Sequence, residues 1–184
     1  MKKLLLIATI FALAFLTSCS SSRSLIPTAV NTVKSVALDE LNLTSNDYEV
    51  LDRIEAQASV VVTITANSFV IEDPEGTFQL NYVKQKKGKT LTLASYNGVV
   101  RAGYLARDYG TIDLGNPDDV VRRIAIYRLI NLCKEQDGDG IIEPIISTNV
   151  EESKSGWSTT VVTFRCTVSG RVVKLKTAKS KTSK

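Results

Sequence analysis

Few side chains in this 184-residue chain are able to do covalent chemistry, and they are unevenly placed. Cys19, Cys133 and Cys166 are the only thiols, and the chain contains no histidine. The commonest general base and the commonest metal ligand are therefore missing together. This excludes His-dependent serine, cysteine and metal hydrolases, so any catalysis would have to run on carboxylates, Lys or Tyr. Asp137, Asp139 and Glu143 come closest to a cluster of acids. Their stretch is too short for the ~12-residue ligand loop of an EF-hand. A helix stop followed by a strand accounts for the glycines between them. No catalytic, metal or cofactor-binding residue is assigned.

Cys19 stands at the end of an apolar run, Leu4 to Leu16, opened by Lys2 and Lys3. About a dozen apolar residues fall short of the roughly 20 needed to span a bilayer and suit the h-region of a signal peptide. Leu16-Thr17-Ser18-Cys19 resembles a bacterial lipoprotein signal: an aliphatic residue, two small residues, then cysteine. The resemblance implies cleavage before Cys19, diacylation of its thiol and acylation of the new amine. At about 0.8 kcal/mol per buried methylene, two or three acyl chains make a lasting anchor. Ser20, Ser21, Ser22, Arg23 and Ser24 follow as a flexible spacer. No Asp follows Cys19, which by analogy with such proteins points to the outer membrane. The absence of an acidic run over 20–24 points to its periplasmic face.

Hydrophobic residues at 43% and charged residues at 23% are ordinary globular proportions. The net charge of +4 sits at the ends. Lys2, Lys3, Arg171, Lys174, Lys176, Lys179, Lys181 and Lys184 more than account for it. The body between them is mildly acidic and has no basic surface suited to nucleic acid. The basic tail has two readings: a solvating end, or a contact with anionic head groups or cell-wall polymers.

Strict alternation is clearest from Tyr48 to Thr65. Tyr48, Val50, Ile54, Ala56, Ala58, Val60, Val62 and Ile64 fall on one parity and polar residues on the other, as in a half-buried strand. Asp52, the one polar interruption, marks a bulge or the end of the covered face. Shorter strands are expected at Phe69-Val70-Ile71, Thr77 to Lys84, Lys89 to Ser95 and Val99 to Tyr104. Asn97-Gly98 between the last two is a tight-hairpin signal, and Lys84, Lys86, Lys87 and Lys89 mark a solvated turn. Asn116-Pro117-Asp118-Asp119 opens a helix by cap, first-turn proline and dipole-matched acids. The helix should run to about Lys134, with Arg122, Arg123 and Arg128 on its wetter side, and stop at Asp137-Gly138-Asp139-Gly140. Ile141 to Asn149 and Thr159 to Lys176 read as closing strands joined by a polar connection, Glu151 to Gly156. In the last strand Val162, Phe164, Cys166 and Val168 should face the helix. Ser24 to Ser45 is left open between a short helix and a strand.

Asn42 to Leu51, Asp137 to Pro144 and Thr167 to Val173 together resemble a family of small lipoproteins from Bacteroides-type bacteria. The strand-helix-strand order is also similar to the core of the Rcs envelope-stress sensor lipoprotein. The resemblance implies a fold and a location and carries no catalytic residues. Roughly fifty residues between first strand and helix depart from its compact pattern.

The expected fold class is α+β: an antiparallel sheet with one principal helix packed across a face, plus an inserted β-meander over 66–115. The expected division is a signal peptide over 1–18, a tether and lead-in over 19–45, one α+β domain over 46–176 and a disordered basic tail over 177–184. Cys133 and Cys166 have two readings, a disulfide closing a loop of about 30 residues and worth about 3 kcal/mol, or two buried free thiols. Trp157 also has two, a cap on the sheet edge or a contact for a partner. Three functions follow. One is a non-enzymatic, membrane-anchored module that binds an envelope protein or polymer. Another is an envelope sensor signalling through its tether or a Cys133–Cys166 bridge, and the third an enzyme built on Glu143 with Asp137.

Overall fold

The computed structural model describes residues 30–34, 42–85, 90–105, 111–154 and 157–176. The signal segment, Cys19, most of the lead-in, Lys86, Lys87 and Lys89, and the 177–184 tail lie outside the described residues. Among the described residues, eight strands and one helix follow in order: β1 Val30–Lys34, β2 Tyr48–Ile64, β3 Ser68–Glu72, β4 Phe78–Lys84, β5 Leu91–Gly98, β6 Val100–Tyr104, α1 Pro117–Glu135, β7 Gly140–Lys154 and β8 Thr160–Leu175. Six strands form an antiparallel sheet in the order β5-β4-β3-β2-β8-β7, and β1 pairs with β6 in parallel. The class is α+β, with sheet dominant.

The alternation in β2 sets the covered face. Ile54, Ala56, Ala58, Val60 and Val62 are buried, joined across the ladder by Cys166 and Val168 of β8. The register slips between Val50 and Arg53, so a bulge does sit at Asp52. The slip moves Leu51 inward against the core and leaves Val50 exposed.

The helix lies on that face. Asn116 caps it by accepting from the Asp118 N–H at 3.1 Å. It ends with the Gly138 N–H donating to the Cys133 carbonyl at 2.9 Å, and the left-handed residue there is Asp137, φ 56°. Burial runs almost round the helix, because β6 packs on it opposite the sheet. A Cβ on Gly103 would lie 2.7 Å from the Tyr127 nitrogen, so strand and helix backbones nearly touch. Arg123, read from the pattern as wet, is accordingly buried (4% exposed).

Two further expectations are corrected. Asn97-Gly98 is not a hairpin: both residues sit in β5, opposite Gln79 and Phe78. Gly98 (φ 81°) bends one continuous run out of the large sheet, and the run goes on as β6 to join β1. Glu151–Lys154 are not a connection, for β7 stays paired with β8 as far as Lys154 opposite Thr160. An edge strand is buried on neither its open side nor its far face, so polar residues do not end it.

Candidate functional site

Ile145 to Val150 reads Ile-Ile-Ser-Thr-Asn-Val, a β-prone segment with no charge. It lies in β7, the last strand of the sheet, where no described element pairs with its outer side. Pairing with β8 puts Ile146, Thr148 and Val150 on the face that carries α1, opposite Val168, Cys166 and Phe164. The helix lies over β2 and β8 and barely reaches β7, so Val150 is 52% exposed and Ile146 37%; Ile145, 57% exposed, stands opposite Ser169 on the other, otherwise polar face. Beyond the strand, Trp157 is fully exposed and caps no sheet edge. A solvated Trp at the turn and exposed aliphatics along the strand that leads to it are the residue types that contact surfaces favour.

The face away from α1 is polar. Register places Ser147, Thr167 and Gln57 in one row and Asn149, Arg165 and Ser59 in the next. They surround a shallow cavity of about 390 Å³. Arg165 reaches Glu151 at 2.9 Å. The hydroxyls and amides there can hydrogen-bond a ligand, and no imidazole exists to activate one as a nucleophile. A second cavity, about 510 Å³, lies between β4, β5 and the 112–115 loop. Burial, and then the nearby Asp113, push its Tyr82 phenol up to about 12, so that group stays protonated at neutral pH.

The structure separates the two cysteines of the sequence analysis. Cys133 sits at the end of α1, its thiol donating to the Gly140 carbonyl at 3.4 Å, in a corner shared with Val172. Cys166 lies opposite Thr148, six positions back along β8. At about 3.3 Å per residue that is roughly 20 Å, far beyond the Cα separation of a disulfide. Both are buried and free. Burial raises both thiol pKa values. In folded protein neither should react with iodoacetamide at neutral pH, and both should after denaturation. Mass spectrometry of alkylated peptides reads this, and a Cys133–Cys166 peptide pair would contradict it.

The acids are also spread out. Asp137 pairs with Lys174, the Asp139 carboxylate accepts from the Leu175 N–H at 2.8 Å, and Glu143 lies 3.6 Å from Arg53 and 3.7 Å from Arg171. Among the described residues no three His, Cys, Asp or Glu side chains are grouped to hold a metal ion. No described helix is long and apolar enough to cross a membrane.

Hydrogen bonds from the hydroxyl and N–H of Thr44 hold the Asp47 carboxyl below its ordinary value. The hydrogen bond and charge of Lys174 do the same for Asp137. A depressed folded-state pKa gives stability that is complete above the unfolded value, about 3.9, and is lost as pH falls through the folded one. The double variant Asp47→Asn, Asp137→Asn should therefore lose less melting temperature than wild type between pH 5 and pH 3 (~2 units around that pKa), read by thermal melts.

Comparison with known proteins gives no match to any family model, curated protein sequence or solved structure.

Proposed function

We propose that this chain is a non-enzymatic lipoprotein of a bacterial envelope, acylated at Cys19 and held at the periplasmic face of the outer membrane, that works by binding. It belongs, on this reading, with the small lipoproteins it resembles, and residues 66–115 are a meander inserted into their compact strand-helix-strand core. The partner is an envelope protein or polymer, met at the open edge of β7 and at Trp157. The observation that carries the reading is the exposure of Trp157 together with Ile145, Ile146 and Val150. Solvated aliphatics and an indole gain most from leaving water against a partner. The alternative is a sensor signalling through its tether. Its version with a Cys133–Cys166 bridge has no support in the roughly 20 Å between those residues.

Metabolic labelling with an alkyne palmitate, in cells carrying the native chain or Cys19→Ser, tests the anchor. The native chain should carry label and sediment with outer membrane, and the variant should be unlabelled and soluble. Equal behaviour of the two would overturn the reading.

A further inference from the structure

We propose that the open edge of β7 pairs with β7 of a second copy, antiparallel about Thr148, joining two six-stranded sheets across a two-fold axis. The inference rests on the binding reading above and names one occupant for its surface.

The guards on the sheet's other open edges are visible. Below β3, the bare edge of β2 is covered by Arg128, which donates to the Gln57 carbonyl at 2.9 Å and pairs with Glu75 at 2.7 Å. The edge strand β5 is broken by a bulge after Leu93, where the register with β4 slips, and bends away at Gly98. Bulges and edge charges are how sheets refuse new strands. In β7 these devices stand only at the ends. A bulge between Ile142 and Ile145 holds Glu143 in the left-handed region before Pro144, and Glu151 and Glu152 lie at the other end. Ile145 to Val150 between them has neither bulge nor charge, and it exposes three aliphatic side chains.

Self-complementarity selects the occupant and the register. A two-fold axis normal to the sheet keeps both helices on one side, so each residue must meet one of its own parity. Centred on Thr148, Ile146 of each copy faces Val150 of the other, Ser147 faces Asn149, and Ile145 faces Glu151. Centred one residue earlier, Ile145 faces Asn149 and Ile146 faces Thr148, so no exposed aliphatic meets another. Centred one residue later, Ile146 opposes Glu152. Only the first register pairs the exposed aliphatics, and it does so twice.

The test uses the full chain in its own membrane, co-expressing differently tagged Ile146→Cys and Val150→Cys copies under mild oxidation. Directly opposed strand positions lie within disulfide reach, so the mixed pair should crosslink at least about tenfold more than either variant alone. Ile146→Cys with Glu152→Cys reports the later register. Crosslinking in that pair instead, adducts only with another protein, or no adduct in any pair would overturn the proposal. Sedimentation of the detergent-solubilised chain gives a second readout: a dimer for wild type and a monomer for Val150→Lys, with a wild-type monomer contradicting it. If these fail while a crosslinker beside Trp157 still captures another protein, the dimer falls and the binding reading stands. If both fail, both fall.

Discussion

Gly98→Ala is expected to destabilise the domain by about 4 kcal/mol, from backbone overlap of ~1–3 and a left-handed non-glycine residue of ~1–2. A Cβ there would stand 1.9 Å from the Thr77 carbonyl oxygen, a backbone atom that the Val99 N–H holds at 3.1 Å. Thr77 is tied in turn to Asp73, its N–H donating to the carboxylate at 3.1 Å. The overlap cannot be relieved by turning a side chain; it must push β4 and β5 apart or undo the bend. Losing the bend would also lift β6 from the helix, so the whole melting transition should move, with no separate early phase. A denaturant midpoint within error of wild type would show that the bend is not needed.

Arg123→Ala should cost about 2–4 kcal/mol, from a hydrogen bond to a charged group of ~1.5–3 and a cation–π contact of ~0.5–1. The Arg123 Nε donates to the Asp119 carboxylate at 2.9 Å, and the guanidinium carbon lies 4.1 Å from the centre of the Tyr104 ring. Asp119 also accepts from the Asp113 N–H at 2.8 Å, and the Tyr104 hydroxyl accepts from the Ile112 N–H at 3.1 Å. Three side chains, Arg123, Asp119 and Tyr104, thus pin the loop before α1 to the helix and to β6. Truncation leaves Asp119 paired with Arg122 alone, at 3.3 Å, and opens a void beneath Tyr104, whereas Asp119→Asn keeps an acceptor and should cost less. Lysine at 123 should rescue only in part, because a point charge lacks the flat face that stacks on the ring. Chemical denaturation orders the three variants, and an Arg123→Ala loss under about 1 kcal/mol, the exposed-pair level, would contradict the burial.

What could be read from the residues was what local chemistry decides. The parity of β2 from Ile54 to Val62 and of β8, the irregularity at Asp52 and the Asn116 cap are settled within a few positions, and each lies where expected; Val50 and Ile64, toward the ends of β2, fall outside the covered face. The misreadings concern partners far away in the chain. Gly98 signals a positive φ, but whether the chain turns back or bends onward depends on β1, which waits to receive β6. Arg123 looks wet on a helical pattern until β6 closes over that side. Polar Glu151 to Ser153 resemble a loop because nothing local says that an edge strand can hold them. Of the surface proposed for contact, one residue, Trp157, could be picked out from the sequence. Ile146 and Val150 could not be told from core, because only the packed structure shows that the helix stops short of β7.

A photo-crosslinking amino acid placed at the exposed Ser158, beside Trp157, tests tether and binding surface together in intact cells. With Cys19 present, discrete crosslinked products should form on illumination, and they should disappear with Trp157→Ala, a change that leaves the melting temperature alone because the side chain is fully exposed. They should also disappear with Cys19→Ser. Products absent from the native chain, or unchanged in both variants, would contradict a tethered module that binds through this end of its sheet.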